Sequence, residues 1–157
     1  MWCCLVGSEM CIRDRDWVMN TNSKSPWILS KNISKIMPEG SSIINITSLG
    51  SQRVLSNYFS VGLSKSSLES MTRYLAIELA EKGIKVNSIS PGIIKTRALD
   101  SFPDDADVNK SDLYKTPAGK PLEGKDVSNL VNFLISEESN MIRGQNIIID
   151  GGRSLVI

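Results

Sequence analysis

Three short β-branched runs constrain the fold of this 157-residue chain more than any other feature. They are Ser42-Ile-Ile-Asn-Ile-Thr47, Ile84-Lys-Val-Asn-Ser-Ile89 and Gln145-Asn-Ile-Ile-Ile-Asp150. Each stops at turn residues: Ser48-Leu-Gly-Ser51, Pro91-Gly92 and Gly151-Gly152 respectively. They read as strands that run out into loops. Helical patterns lie around and between them, giving the order helix, strand, helix, strand, loop, helix, strand. Such alternation predicts an α/β fold, a Rossmann-like doubly wound parallel sheet with helices on both faces and right-handed crossovers. In sheets of this kind ligands bind outside the carboxyl ends of the strands.

The first helix is predicted from Asp16 to about Met37, ended by Pro38 and Gly40. Pro26 lies inside it and lacks the N–H that would bond the carbonyl of Asn22, four residues back. That predicts a kink with a free Asn22 carbonyl able to hold a water; the other reading is a helix that starts near Pro26. Ser56 to Lys82 reads as one long helix with Leu68, Met71, Leu75 and Leu79 on a stripe and Gly83 as its stop. Lys95 to about Lys120 is polar and carries Pro103 and Pro117, which predicts a mobile insertion or lid with one or two short helices. Asp126 to about Ser136 reads as a helix capped by Asp126 or the residue before it.

The long helix carries the candidate chemistry. Tyr58 and Lys65 are seven residues apart, about 700° of helical turn, so their side chains are expected within roughly 20° of one face. A phenol beside an ammonium can donate a proton or stabilise an oxyanion. The plainer alternative is a core tyrosine and a solvated lysine. Ser48, Tyr58 and Pro91-Gly92 each follow a predicted strand end, and this convergence favours the functional reading.

Composition narrows the chemistry further. The length suits one domain, and a net charge of +1 with no basic stripe gives no case for nucleic acid or an anionic membrane. No apolar run approaches the roughly 20 residues of a membrane span. The chain has no histidine, which removes Ser-His-Asp and Cys-His catalysis and most zinc sites, so no metal is expected. Cys3, Cys4 and Cys11 crowd into the first eleven residues, which is not a disulfide framework. Residues 1–15 resemble translated sequencing adapter, in particular Val6-Gly-Ser-Glu-Met-Cys-Ile-Arg-Asp-Arg15. They are expected to be foreign, with the native domain spanning 16–157 and truncated upstream of Asp16. An intact native reading frame on resequencing would contradict this.

From Asp16 to Ile157 the chain resembles the carboxyl-terminal part of a short-chain dehydrogenase/reductase. The resemblance rests on Asn22, Ile44-Asn-Ile-Thr-Ser48, the tyrosine/lysine helix, Val86-Asn-Ser-Ile-Ser-Pro-Gly-Ile-Ile-Lys-Thr96 and Ile142-Arg-Gly-Gln-Asn-Ile-Ile-Ile-Asp-Gly-Gly152. The commoner branch has tyrosine four residues before lysine, and that position is Val61 here. The Tyr58-x6-Lys65 spacing, with Ser48 ten residues before the tyrosine, is similar to the enoyl-acyl-carrier-protein reductases, closest to the NADPH-using type III enzymes.

The resemblance implies hydride transfer from NADPH (or NADH) to a trans-2-enoyl thioester of acyl-carrier protein or CoA, in fatty-acid synthesis. Tyr58 would bind the thioester oxygen, with Ser48 beside it or serving only as a loop cap. Lys65 would hold the nicotinamide ribose. Pro91, Gly92 and the Ile94 main chain would meet the carboxamide, and Thr96 would lie near the phosphates. Asn22 joins the catalytic set. The family's glycine-rich dinucleotide turn is not found before Asp16, so three of seven strands are expected, with a bare apolar edge on Ile43–Thr47 and no activity from the fragment itself. A ketoreductase of the same fold and an inactive remnant are the competing readings. A cytoplasmic homo-oligomer, a tetramer built on the long helix, is the implied full-length form.

Overall fold

The computed structural model describes residues 12–95 and 114–156. In chain order the main elements are α1 (Ile12–Met19), α2 (Ser25–Ile33), β1 (Ser42–Ile46), α3 (Phe59–Glu78), β2 (Lys85–Pro91), α4 (Gly124–Ile135) and β3 (Asn146–Ile149). The three strands form one parallel sheet in the order β1-β2-β3, as the alternation predicts. Ile43 pairs with Val86 and Ser88 with Asn146.

Side chains alternate across a strand, so this register assigns each face. Val86 packs with Leu75 and Ala76 of α3 and with Leu79 just after it, and Ile43 joins them. On the same face Asn45 Nδ2 donates to Thr72 Oγ1 of α3 at 2.8 Å. Lys85, one residue away, points oppositely. Its Nζ donates to Ser136 O at 2.6 Å and to Ser139 Oγ at 3.0 Å, just beyond α4. The sheet therefore lies between α3 and α4. A buried ammonium needs such acceptors, and the carboxyl end of a helix supplies them. Ile84, Ile89 and Leu134 are fully buried. Each contributes about 1.5–3 kcal/mol by leaving water.

The boundaries depart from the sequence expectations in four places. Helix α2 ends at Ile33 rather than Met37. Helical chain begins well before Pro26 and passes it through a wide π turn, Asn20–Lys24, in which the Ser25 N–H bonds Asn20 O, five residues back. That turn puts Pro26 in the first turn of α2, where a missing N–H costs little. The cap of α4 is Glu123, not Asp126 or Lys125; Asp126 is its third residue and returns a bond to the Glu123 N–H at 3.0 Å.

The fourth departure concerns Tyr58. It stands at the mouth of α3 rather than inside it, with φ −115° and ψ 8°. Asn57, just before it, has φ +55°, a left-handed turn that asparagine tolerates. The helical-wheel argument thus does not extend to Tyr58. The end at Gly83 is as expected: its φ of +68° closes the run after α3. The predicted lid lies mostly outside the described residues, as do Thr96 and the three cysteines.

Candidate active site

Parallel strands send alternate main-chain groups to opposite edges. Thr47 N donates to Ile89 O at 2.7 Å, so odd-numbered positions of β1 face β2. The Ile46 carbonyl then faces the other edge, where β1 has no strand partner among the described residues. Lys65 Nζ occupies that edge and donates to Ile46 O at 2.9 Å. Burial pulls the Lys65 ammonium below its ordinary pKa.

Two residues further on, Ser48 Oγ accepts from the Tyr58 hydroxyl at 3.1 Å. Tyr58 and Lys65 therefore converge because both reach the carboxyl end of β1, not because one helical face carries them. Ser48 stands at the cap position of a short 3-10 turn, Leu49–Ser51, yet makes no side-chain cap bond. Its hydroxyl faces the phenol instead. Pro91 closes the neighbouring strand β2. Gly92 N donates to Ile149 O at 2.8 Å and ties that strand end to β3. A Cβ on Gly92 would stand 2.8 Å from Asp150 Cβ, so the close approach requires glycine. Ile94 follows, partly buried, in irregular chain.

Asn22 reaches the same region by a route the sequence did not suggest. Its Nδ2 donates to Ser64 Oγ at 3.1 Å, and Ser23 Oγ donates to Ser64 O at 3.0 Å. The π turn thus docks against the residue preceding Lys65.

Two glycines form the wall behind the phenol. A Cβ on Gly50 would fall 2.4 Å from Tyr58 Cδ1, and one on Gly62 would fall 2.6 Å from Gly50 O. Neither was singled out in the sequence, where only a Gly-x11-Gly spacing around a tyrosine could have drawn notice. A shallow cavity of about 190 Å³ between Thr116, Leu122, Asp126 and Gly151 includes none of the expected site residues. No helix of the described residues is long and apolar enough to cross a membrane, and none of their acidic, Cys or His groups cluster as a metal site.

A hydroxyl pair, a desolvated ammonium and a glycine-walled strand end thus meet on one side of a parallel sheet. Comparison with known proteins gives this arrangement its context. Residues 8–154 match the family described as enoyl-(acyl carrier protein) reductase. The chain belongs to that family. Among its relatives, the enoyl-acyl-carrier-protein reductase (NADH) FabI of Bacillus cereus is 32% identical over 133 residues, covering 85% of this chain and 52% of the relative. The 1-cyclohexenylcarbonyl-CoA reductase of Streptomyces collinus is 32% identical over 146 residues, covering 91% and 51%. Among solved structures, the angucycline C-6 ketoreductase LanV with bound NADP superposes with a TM-score of 0.84 at 28% identity, covering 94% of this chain and 57% of that one. The chain spans about half the length of the curated relatives it matches. Family membership and the structural likeness together give it the fold of a short-chain reductase.

The donor set fits the ribose end of a nicotinamide nucleotide. Lys65 is a partly desolvated cation with three N–H donors, one of them on Ile46 O, at the carboxyl end of a parallel strand. That suits a vicinal diol.

Proposed function

We propose that a polypeptide of the relatives' length carrying this chain reduces trans-2-enoyl thioesters of acyl-carrier protein or CoA. The observation that supports it most is the Ser48–Tyr58 bond at the end of β1, combined with Val61 at the position four before Lys65. NADPH or NADH, when bound, would supply hydride to the β-carbon. Negative charge would then grow on the thioester oxygen, to which Tyr58 donates a hydrogen bond, and a proton from solvent at the α-carbon would complete the saturated thioester. In the structure that phenol proton is donated to Ser48 Oγ; with substrate bound, Ser48 turns its own hydroxyl to donate to the phenol oxygen, which frees the phenol proton for the thioester. Lys65 holds the ribose hydroxyls and keeps the local potential positive. The Pro91-Gly92 strand end and the Ile94 main chain meet the carboxamide, Thr96 the phosphates, and Asn22 steadies the Lys65 turn through Ser64.

A cytoplasmic homo-oligomer is part of the proposal. Phe59, Leu63, Tyr74 and Ile77 of α3 are all exposed, with Trp17 and Trp27 on the helical segments before β1. A tetramer that buries α3 would cover such apolar side chains.

The second reading, carbonyl reduction, is favoured by the likeness to a ketoreductase. Crotonyl- and acetoacetyl-thioesters separate the two. We expect NAD(P)H oxidation with the crotonyl substrate; turnover of the ketone alone would overturn the proposal. Loss of activity in Tyr58→Phe would exclude an inactive remnant.

A further inference from the structure

One buried carboxylate takes no part in the chemistry above. Glu69 lies one turn beyond Lys65 on α3 and is 6% exposed. Burying a carboxylate is costly unless donors surround it. Here they are all neutral: Ser51 Oγ and Asn146 Nδ2 (2.9 Å) on Oε1, and Gln52 Nε2 (3.1 Å) on Oε2. An apolar side chain would fill the same volume without that desolvation cost. A carboxylate is the group that can accept from three donors at once.

Those donors come from two places. Ser51 and Gln52 belong to the loop after β1, and Asn146 opens β3. Asn146 is itself fixed, its Oδ1 accepting from Ser88 Oγ at 2.9 Å and Thr47 Oγ1 at 3.2 Å. The loop is held again where Ser66 Oγ donates to Ser51 O at 2.6 Å. Ser51 Oγ also lies 2.7 Å from Ser48 O. This loop carries Ser48, and its Gly50 backs the Tyr58 ring.

We infer that Glu69 is a positioning residue: it clamps the loop 48–52 against α3 and β3, and so aims the Ser48 hydroxyl at Tyr58. The inference rests on the proposed role of the Ser48–Tyr58 pair. Glu69→Gln keeps the size but turns one acceptor into a donor facing other donors. Glu69→Asp keeps the charge and shortens the reach.

The test has two readouts. Amide exchange of Ser51, Gln52 and Arg53, whose N–H groups bond Ser48 O and Leu49 O, reads the loop without any turnover. We expect it to rise about tenfold in Glu69→Gln, with the amides of Leu75–Leu79 unchanged, as for a local opening. Turnover of crotonyl-thioester by the gene product that carries this chain reads the aim. We expect kcat to fall about 10- to 100-fold, as for a misplaced group, with KM for the nucleotide little changed and partial recovery in Glu69→Asp. On top of Ser48→Ala, Glu69→Gln should add less than about twofold, because both act on one contact. Unchanged loop exchange, or fully additive losses, overturns the inference. Raised loop exchange in a protein whose parent form reduces neither thioester supports the clamp and overturns the enoyl-reductase reading instead.

Discussion

At the scale of single residues, the tightest constraint on the site is a missing side chain. Gly50 leaves room for the Tyr58 ring, and an added Cβ would collide with it at 2.4 Å. Gly50→Ala is therefore expected to cost about 1–3 kcal/mol in urea unfolding, as overpacking does, and to break the Ser48–Tyr58 bond. Lys65 supplies a pH-dependent counterpart. Burial lowers its ammonium pKa, so it loses its charge at a lower pH than a free lysine would. Activity is expected to fall on an alkaline limb that begins below pH 10.5, the ordinary lysine value. In Lys65→Arg, a pH profile of kcat/KM should show that limb receding to higher pH, since guanidinium stays protonated. That Ser48, Tyr58 and Lys65 gather at the end of β1 was legible in the sequence because their spacing is a motif. Glu69 and its donors were not, because Asn146 lies 77 residues away and no local pattern links them.

At the scale of elements, the strands were read closely because β-branched runs bounded by Gly and Pro leave few alternatives. Helix ends were read less well. The Pro26 region was expected to kink, and the chain instead inserts one residue into a turn. The α4 cap moved from Asp126 to Glu123 because the capping box is reciprocal and its glutamate leads. The end of β3 carries its own pH dependence. Burial raises the Asp150 carboxyl pKa, but hydrogen bonds from Ser154 and from the main-chain N–H groups of Gly152 and Arg153 outweigh it and leave the pKa lowered. A lowered carboxyl contributes stability that is complete above its unfolded pKa of about 3.9 and is lost as pH falls through the folded value. Thermal unfolding between pH 6 and 3 should therefore show a steeper loss for the parent chain than for Asp150→Asn.

At the scale of the whole molecule, the parallel sheet with helices on both faces follows from the order of elements, and the structure has it. The edge of β1 away from β2 has no strand partner among the described residues, and Ile46 is 44% exposed. Open apolar edges recruit other strands. The chain by itself is expected to self-associate with rising concentration in sedimentation velocity, and Ile46→Lys to reduce that association. The chain spans about half of its relatives, and this sets how activity must be sought. The most direct measurement is NAD(P)H oxidation by the gene product that carries this chain, with crotonyl- and acetoacetyl-thioesters in parallel, for the parent and for Tyr58→Phe. The account predicts turnover of the crotonyl substrate and a loss of about 10²- to 10³-fold in kcat on removing the phenol hydroxyl. Turnover of the acetoacetyl substrate alone, or crotonyl turnover indifferent to Tyr58→Phe, would contradict it.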